Sequence, residues 1–389
     1  MSHSLLVQDR RSALTVPTEI LRCPVTRGPL HELSHVELDA LNARIADGRM
    51  RHLDGSTVEE PCQVALQTAD RSLVYRVHDD IAVLLPALAM VPEESLHEHQ
   101  AYGMSDDKRA VQDFYEAVGW NQGKTGEFVD AELWEDRRPV SRDYIRKCHQ
   151  RVARHVKPAG RYLLDVASGP IQYDEYLTYS EHYAARICVD ISLAALREAR
   201  RKLGPRGIYI LGDITNLPLR DGMVDGAVSL HTIYHVPADE QAAAFDEIFR
   251  VLRPGCTAAI VYCWRSGLIK ALGLPAKLAR WPLRMLRKMV AALLGRSATN
   301  RRPDARSAHT PQEKLYYHAH PYSWFARQAF GFPAEVRTWR SISVPLMRAY
   351  VHRWLFGRAL LAVLYFVEEH LPHACGRFGA YPLIVIYKP

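Results

Sequence analysis

The sequence predicts an α/β protein with a doubly wound, mostly parallel sheet and an antiparallel last strand. A small N-terminal α+β module and a helical insertion are added to this sheet. Between Gly160 and Tyr262, short apolar runs alternate with helical stretches, and this order requires right-handed crossovers and a parallel sheet. Several of the runs end in small residues or acids, which suit the ligand crevice at the carboxyl ends of parallel strands. A last apolar run, Tyr381 to Tyr387, is assigned to the antiparallel edge of the sheet.

The first strand of this sheet carries the clearest ligand-binding pattern. The run 161–166 is followed by the small-residue turn Ala167-Ser168-Gly169, and a second strand ends at Asp190. Small residues let the backbone approach a ligand, and an acid that ends the second strand accepts hydrogen bonds from both ribose hydroxyls. The spacing therefore predicts the nucleoside-binding half of a doubly wound sheet.

Five motifs in this order resemble those of the class I, Rossmann-like methyltransferases that use S-adenosylmethionine. They are Leu163 to Gly169, Val189 to Ser192, Leu211 to Leu219, Val224 to His231 and Glu247 to Gly255. The resemblance covers residues 160–264 and returns at the last strand. It implies S-adenosylmethionine as the cofactor. The chain departs from the family in its loop, since it keeps one glycine of the usual three. The cofactor must then pass over Ala167 and Pro170, and the loop should be stiffer than usual.

The resemblance also implies which residues hold the cofactor. They are Asp165, Ala167, Ser168, Gly169, Asp190, Ile191, Asp213, Ile214, His231 and Tyr115. In the family, the acid at the position of Asp213 receives the adenine amino group, and Ile214 contacts the ring. An N-terminal helical segment closes over the methionine end, with Tyr102, Tyr115 and Trp120 as candidates because aromatic faces attract a sulfonium cation. Simple helix packing is the alternative role for Tyr115.

Candidate catalytic residues lie at the exit of the fourth strand, which faces the methyl group in the family. They are His231, His235 and Tyr234. A histidine side chain, with a pKa of about 6.5, can accept a proton near neutral pH. A structural role is the alternative for both histidines. Amino-group methylation in this fold uses an Asn/Asp-Pro-Pro-Tyr/Phe tetrad, and the same place reads Ser229-Leu230-His231-Thr232 here. An amine of a nucleic-acid base or of glutamine is therefore disfavoured.

Three segments are predicted: a module over 1–95, a linker and helical cap over 96–158, and a cofactor-binding domain over 159–389 with a basic helical insertion at 265–345. The module resembles the small zinc-ribbon-like activator of RNA and release-factor methyltransferases. That resemblance is carried by the Cys-Pro-x-x-x-Gly-x-Leu knuckle at Cys23 and by the closing Asp-x-Ile-x-Val-Leu-Leu-Pro. Thr26 stands where the metal-binding form has a second cysteine, so no metal is expected. A docking or dimerisation module without chemistry is the alternative.

The insertion is cationic, because no acid occurs between Glu247 and Asp304. Within it, the stretch 268–294 interleaves lysines and arginines with leucines and Trp281. Such a helix is typical of a membrane-interface element, a lid over an anionic substrate, or an insertion packed on its own domain. The first of these predicts peripheral membrane contact through 265–296. A second group from the insertion, His318, His320 and Tyr322, is predicted to line the acceptor pocket, without a metal.

The bulk properties restrict where the protein works. The net charge of +7 favours an anionic partner or reflects a general basic bias. The seven cysteines lack C-x-x-C spacing, and the first ten residues lack the apolar region of a secretory signal. The longest apolar run, Ala359 to Val367, is far shorter than a spanning helix. These observations predict a cytoplasmic protein, at most peripheral to the inner membrane surface.

The sequence thus predicts a methyltransferase that acts on oxygen or carbon of a small-molecule or lipid-like acceptor, with a homodimer as a further hypothesis. An RNA or protein methyltransferase with its activator fused in cis is the alternative. A third hypothesis is a non-catalytic scaffold, which the glycine-poor loop suggests. The acids at Asp165, Asp190 and Asp213 argue against the scaffold.

Overall fold

The computed structural model describes residues 16–99, 102–123, 126–275 and 315–389. Most of the predicted cationic helix 268–294 lies outside these residues. Within them, thirteen strands join in one mixed sheet. The strands are β1 (Leu30–Glu32), β2 (Met50–His52), β3 (Val64–Thr68), β4 (Val74–His78), β5 (Ile81–Val83), β6 (Met90–Pro92), β7 (Gly160–Val166), β8 (Tyr183–Asp190), β9 (Gly207–Leu211), β10 (Gly226–Leu230), β11 (Thr257–Val261), β12 (Ala334–Arg340) and β13 (Tyr381–Tyr387).

Helices connect these strands. They are α1 (His35–Ala46), α2 (Asp106–Phe114), α3 (Val129–Trp134), α4 (Arg142–Ala153), α5 (Asp174–Leu177), α6 (Leu193–Leu203), α7 (Gln241–Val251), α8 (Tyr322–Phe325), α9 (Val344–Tyr350), α10 (Gly357–His370) and α11 (Pro372–Phe378). Residues 267–275 are also helical. Ser192 caps α6, because its side chain accepts the backbone N–H of Ala195.

The central strands run in the order β9-β8-β7-β10-β11 and are all parallel, and β13 lies antiparallel to β11. This arrangement confirms the predicted doubly wound sheet. Alternate residues of β7 enter two different cores, with Leu164 packed on the side of Phe245 from α7 and Leu163 on the side of Leu196 from α6. Helices therefore cover both faces, which explains why the strands are apolar throughout rather than alternating.

The predicted position of the last strand is wrong. β13 is antiparallel, but it lies between β11 and β12, and β12 forms the edge. The reason is the difference in composition between the two strands. The run Leu383 to Ile386 is apolar toward both faces, whereas β12 carries Glu335 and Arg337 toward solvent. A charged strand suits an exposed edge, because charge discourages pairing with another chain.

The N-terminal module continues the same sheet. Asp79 and Asp80 form a tight turn, with φ of 52° and 59°, between β4 and β5. β5 then pairs in parallel with β9, with Ile81 opposite Tyr209. In the knuckle, the Cys23 thiol accepts backbone N–H bonds and lies 3.2 Å from the hydroxyl of Tyr75. The module thus closes the β9 edge of the cofactor-binding sheet.

The apolar stretch from Leu346 to Leu371, in which Gly357 predicts a break, forms two helices, α9 and α10. The chain leaves α9 at Tyr350, and Phe356 takes a left-handed backbone with φ of 53° before Gly357 begins α10. A Cβ on Gly357 would lie 2.7 Å from the carbonyl oxygen of His352, so this turn requires a glycine. No helix among the described residues has the length and apolar character needed to cross a bilayer.

Candidate active site

A cavity of about 850 Å³ opens at the carboxyl ends of β7, β8, β9 and β10. The structure brings all of the predicted cofactor-binding and catalytic residues to its walls. They are Tyr115, Asp165, Ala167, Ser168, Gly169, Asp190, Ile191, Asp213, Ile214, His231, Tyr234 and His235. Tyr102, a candidate for the cap, packs against the main core instead and is not among the lining residues.

Asp190 ends β8 inside the cavity. Its Oδ2 accepts the backbone N–H of Gly169 at 2.8 Å, and its Oδ1 accepts that of Ser192 at 2.8 Å. Burial raises the pKa of its carboxyl to about 6, and the two backbone bonds oppose this shift. Each carboxylate oxygen accepts more than one hydrogen bond, so both oxygens retain capacity for ligand hydroxyls.

The loop after β7 bends through left-handed backbone. Ala167, Gly169 and Ile171 have φ of 52°, 55° and 52°. Ala167 thus takes the strained conformation that glycine adopts without cost. A Cβ on Gly169 would lie 3.1 Å from the indole of Trp120, so the ring covers the loop closely. The indole stacks on Tyr115 at 4.7 Å, which places the two predicted cap aromatics on the loop.

Asp165 has a partner that the sequence did not indicate. Its Oδ2 accepts two hydrogen bonds from Arg186 of β8, at 3.0 Å from Nε and 2.5 Å from Nη2. Arg186 also donates to the carbonyl of Tyr176 and is buried. The pair is neutral as a unit, and it fixes the Asp165 carboxylate through one of its two oxygens. Nothing in the local sequence pairs these residues, because they meet only through the register of β7 and β8.

The cap is tied over the ends of β8 and β9. Lys108 of α2 donates to Asp213 Oδ2 at 2.6 Å and also pairs with Glu240. Gln112, one turn later, donates to the carbonyl of Ile191 at 2.8 Å. Burial disfavours the charge of Lys108, but the two carboxylates outweigh it and raise the pKa of the ammonium. Asp213 therefore forms an ion pair with Lys108, which the sequence did not indicate.

His235 stands at the exit of β10 with its tautomer defined. Its Nδ1 lies 2.7 Å from the backbone carbonyl oxygen of Tyr316. Because a carbonyl oxygen only accepts, Nδ1 carries the proton and Nε2 keeps its lone pair. Burial lowers the pKa of His235 to about 4, although the Tyr316 bond favours the charged form. The imidazole is therefore neutral near pH 7.

His231 and Tyr234 flank His235 in different surroundings. The His231 ring packs edge-on at 4.4 Å from Trp339, and burial, together with the charge of Arg340, lowers its pKa well below the ordinary value. Burial raises the pKa of the Tyr234 phenol well above its ordinary value. Both groups stay uncharged, and no described residue orients a ring nitrogen of His231 as Tyr316 orients His235.

The end of the insertion roofs this exit. His318 donates its backbone N–H to the carbonyl of Tyr234 at 2.8 Å, and Tyr317 lines the cavity with its hydroxyl 3.1 Å from the Cys263 sulfur. The prediction that His318, His320 and Tyr322 line the pocket is wrong, because none of them is among the lining residues. The His320 ring instead stacks on Trp324 at 4.0 Å, so packing places it outside.

The part of the cavity lined by β12, α9 and β13, which we call the far end, carries two arginines. Arg340, at the end of β12, is 2% exposed and donates to Glu135 at 2.7 Å. Its guanidinium lies 4.7 Å from the Tyr381 ring centre, and its Nε is buried without a partner among the described residues. Arg348 of α9 donates to the carbonyl of Glu135 at 2.7 Å. No described carboxylate lies within ion-pair distance of Arg348, whereas Arg340 is paired with Glu135.

Comparison with known proteins identifies the central part of the chain. Residues 164–260 match the family described as "Methyltransferase domain". This segment is therefore similar to the methyltransferase domains of that family. S-adenosylmethionine is the methyl donor of the family, and Asp190 and His235 lie within the matched residues.

Two curated relatives of this methyltransferase domain have named activities. A phthiotriol/phenolphthiotriol dimycocerosates methyltransferase of Mycobacterium ulcerans is 32% identical over 116 residues, which are 30% of this chain and 42% of the relative. The O-methyltransferase resE of Aspergillus sclerotiorum is 27% identical over 143 residues, which are 34% of this chain and 52% of the relative. The chain thus spans about half or less of the length of either relative.

Among solved structures, phosphoethanolamine N-methyltransferase 1 of Haemonchus contortus is 9% identical with a TM-score of 0.42. The alignment covers 73% of this chain and 50% of that one. A likeness at this level carries no conclusion about function.

The methyltransferase domain is completed by residues from outside the matched segment. Lys108, Tyr115, Trp120, Glu135 and the arginines of the far end come from the cap or from the chain after β11. Their sequence signals are weak, although Arg340 ends an otherwise half-buried strand next to a tryptophan. Within the described residues, no three histidine, cysteine or acidic side chains are grouped as metal ligands.

Proposed function

We propose that the whole chain is an S-adenosylmethionine-dependent methyltransferase that modifies an oxygen or carbon atom of a small, acidic or lipid-like acceptor. The observation that carries this proposal is that Asp190 and His235 line one cavity inside a methyltransferase domain. The cavity volume of about 850 Å³ lies in the range that holds a cofactor together with part of an acceptor.

The residues at one end fit the cofactor. Asp190 offers two oxygens that already have backbone partners and accept further bonds from a ribose. Ile214 gives an apolar wall for the adenine, and the buried Nε1 of Trp120 has no partner among the described residues. A buried donor of this kind is expected where a ligand supplies the acceptor. When bound, S-adenosylmethionine supplies an activated methyl group on a sulfonium.

His235 is proposed as the general base. Its free Nε2 would take the proton of the acceptor hydroxyl or carbon acid as the acceptor atom bonds to the methyl carbon. The bond from that carbon to the sulfonium sulfur would break, and the sulfur would keep the electron pair as a neutral thioether. The proton remains on the imidazole until water removes it. Tyr316 holds the ring through Nδ1, and this bond also stabilises the charged ring that forms. His231 lacks an equivalent partner among the described residues and is proposed as a wall of the site, with Tyr234 beside it.

The far end of the cavity supports an acidic acceptor. Arg340 is neutralised by Glu135, but Arg348 brings a second guanidinium without a carboxylate partner among the described residues. A carboxylate, phenolate or enolate oxygen on the acceptor would balance that charge. The names of the two curated relatives, a lipid methyltransferase and an O-methyltransferase, are consistent with this class of acceptor.

The alternative, an RNA or protein methyltransferase with a cis-fused activator, has one observation in its favour. The N-terminal module is joined to the cofactor-binding sheet by the β5–β9 pairing. The Ser229–Thr232 sequence at the exit of β10 counts against an amine acceptor. Binding of tRNA or rRNA that weakens steeply with salt would favour this alternative over the small-molecule proposal.

The decisive experiment combines binding and product detection. Calorimetric titration with S-adenosylmethionine and with its demethylated product should show one site for each chain. Cell extract is then incubated with the protein and a donor with an isotope-labelled methyl group, and mass spectrometry identifies labelled small molecules. Absence of cofactor binding would overturn the enzyme assignment. Binding with label only in RNA or protein would support the alternative.

A further inference from the structure

A group of large apolar side chains is exposed within one segment near the C-terminus. Phe356 is 83% exposed and Trp354 is 76% exposed. The same set includes Leu355, Leu360, Val363, Phe366, Val367 and Leu371. We call these eight side chains the apolar face. The grouping of these side chains in one segment matters. Scattered apolar residues are normal on protein surfaces, whereas a large apolar patch marks an interaction site.

Helical geometry places most of these residues on one side of α10. Phe356, Leu360, Val363 and Val367 follow one another at intervals of three or four residues, which is the spacing of a single helix face. The opposite side carries the buried Leu361 and Glu368. The helix is therefore anchored by one side and presents a second apolar side outward, where α helices on protein surfaces are ordinarily polar.

The helical segment 267–275 lies close to this region. Tyr350, at the end of α9, donates to the carbonyl of Leu272 at 2.8 Å, and Ser266 donates to the carbonyl of Phe378 at 2.7 Å. The segment itself exposes Leu268, Leu272 and Leu274. It leads directly into the sequence 276–303, which contains eight lysines and arginines and no acid.

The unpaired charges on the segments that carry the apolar face and the helical segment 267–275 are of one sign. Between 341 and 389 the only acids are Glu368 and Glu369, and both pair with Arg151. The described stretch 248–275 has no acid. Exposed Lys270, Arg353 and Arg358 have no described carboxylate within ion-pair distance. A surface that combines large apolar residues with unpaired cations complements an anionic interface.

We propose that the apolar face inserts into the headgroup region of an anionic phospholipid membrane. Tryptophan, phenylalanine and leucine flanked by lysine and arginine are the composition of interfacial helices. The inference is independent of the proposed methyl transfer, because it concerns only the outer surface.

The test uses the full chain with vesicles, and no enzyme assay. Sedimentation is measured with vesicles of phosphatidylcholine alone and with equal parts of phosphatidylcholine and phosphatidylglycerol. The wild type should bind the anionic vesicles in preference. The double variant W354S/F356G should lose at least about tenfold in partitioning, because two large apolar side chains no longer enter the interface. Glycine at 356 suits the left-handed backbone, so this variant should still fold.

Two controls separate the outcomes. V36S removes a side chain that is 80% exposed on the N-terminal module and should leave vesicle binding unchanged. R353Q/R358Q should weaken binding only to the anionic vesicles. Equal binding of wild type and W354S/F356G would overturn the proposal, as would wild type that does not bind anionic vesicles. If W354S/F356G instead abolishes self-association in sedimentation velocity without vesicles, the face is a contact between copies and the membrane assignment is wrong.

Discussion

The two ends of the cavity are built in different ways. At the cofactor end, Asp165, Asp190 and Asp213 each lie within two residues of the end of a strand, and backbone N–H groups hold Asp190 in place. At the far end, Glu135, Arg340 and Tyr381 come from three distant segments and meet only in the folded chain. One end is thus determined by local sequence, and the other by packing of the cap, β12 and β13.

This difference separates cofactor binding, which many proteins with this sheet can share, from acceptor binding, which can vary between them. A loop and acid that follow a parallel strand can hold the same nucleoside in many proteins, because their placement depends only on the strand. Residues gathered from insertions can change without altering the sheet. We therefore expect substitutions at His235 to change the rate of methyl transfer and substitutions at Asp190 to change the affinity for the cofactor. Substitutions at Arg348 should change the affinity for the acceptor, and each substitution should leave the other two quantities nearly unchanged.

The largest expected effect is that of His235→Gln. Loss of a general base should lower kcat by about 10²–10⁴-fold while the cofactor Kd stays within about twofold. Single-turnover rates with labelled donor measure the first quantity and calorimetry the second. His320→Gln is the matched control, because that ring lies outside the cavity and should leave kcat unchanged. If His235→Gln retains the wild-type rate, the acceptor needs no base and His235 only shapes the site.

The pH dependence sharpens this prediction. Because the pKa of His235 is lowered to about 4, its Nε2 should be unprotonated throughout the neutral pH range. Protonation of His235 should therefore lower the wild-type transfer rate only below about pH 5.

The next effect is that of Asp190→Asn on the cofactor. The substitution should weaken S-adenosylmethionine binding by at least about tenfold, because a carboxylate that accepts ribose bonds becomes neutral. In the wild type, affinity should also fall by about tenfold between pH 7 and pH 5, as a carboxyl with pKa about 6 takes up a proton. The Asn variant should lack this pH dependence. Calorimetry at the two pH values measures both.

Stability should change in the opposite sense over this window. A folded-state pKa above the ordinary value means that the folded chain binds the proton more readily than the unfolded chain. The free energy of unfolding contributed by Asp190 therefore rises as pH falls from about 6 toward 4. A loss of cofactor affinity at pH 5 that accompanies a loss of fold would contradict this account.

The third effect tests the far end. Arg348→Met should raise KM for the acceptor found with labelled donor by about tenfold, because a charge-assisted hydrogen bond is lost. The cofactor Kd should stay unchanged. Arg71→Met, which removes an exposed cation of the N-terminal module, is the matched control. An unchanged KM in Arg348→Met would show that the acceptor is not held by this guanidinium.

The sheet and the cofactor end could be predicted from sequence, because each signal is local to a strand and the residue after it. The prediction that β13 lies at the edge was wrong, because an apolar run does not show whether one or two neighbouring strands pair with it. The Asp165–Arg186 and Lys108–Asp213 pairs were missed because they join residues through strand register and helix docking, which no spacing rule encodes. The insertion histidines were misplaced since stacking on Trp324 took His320 away from the cavity.

The smallest effect concerns the loop where the two ends join. Ala167 has φ of 52°, a conformation in which a Cβ costs about 1 kcal/mol or more. Ala167→Gly removes that cost but gives the unfolded chain more freedom, worth about 0.5–1 kcal/mol. The free energy of unfolding should therefore change by less than about 1 kcal/mol, in the stabilising direction if strain dominates.

The control is Ala199→Gly, at a buried position inside α6. It should lower the free energy of unfolding by about 1 kcal/mol or more, because glycine has a lower helix propensity than alanine and relieves no strain there. Urea unfolding of both variants gives the comparison. Equal destabilisation by the two substitutions would show that Ala167 is not strained. In that case the loop's stiffness would come instead from Pro170 and from the indole of Trp120 packed over Gly169.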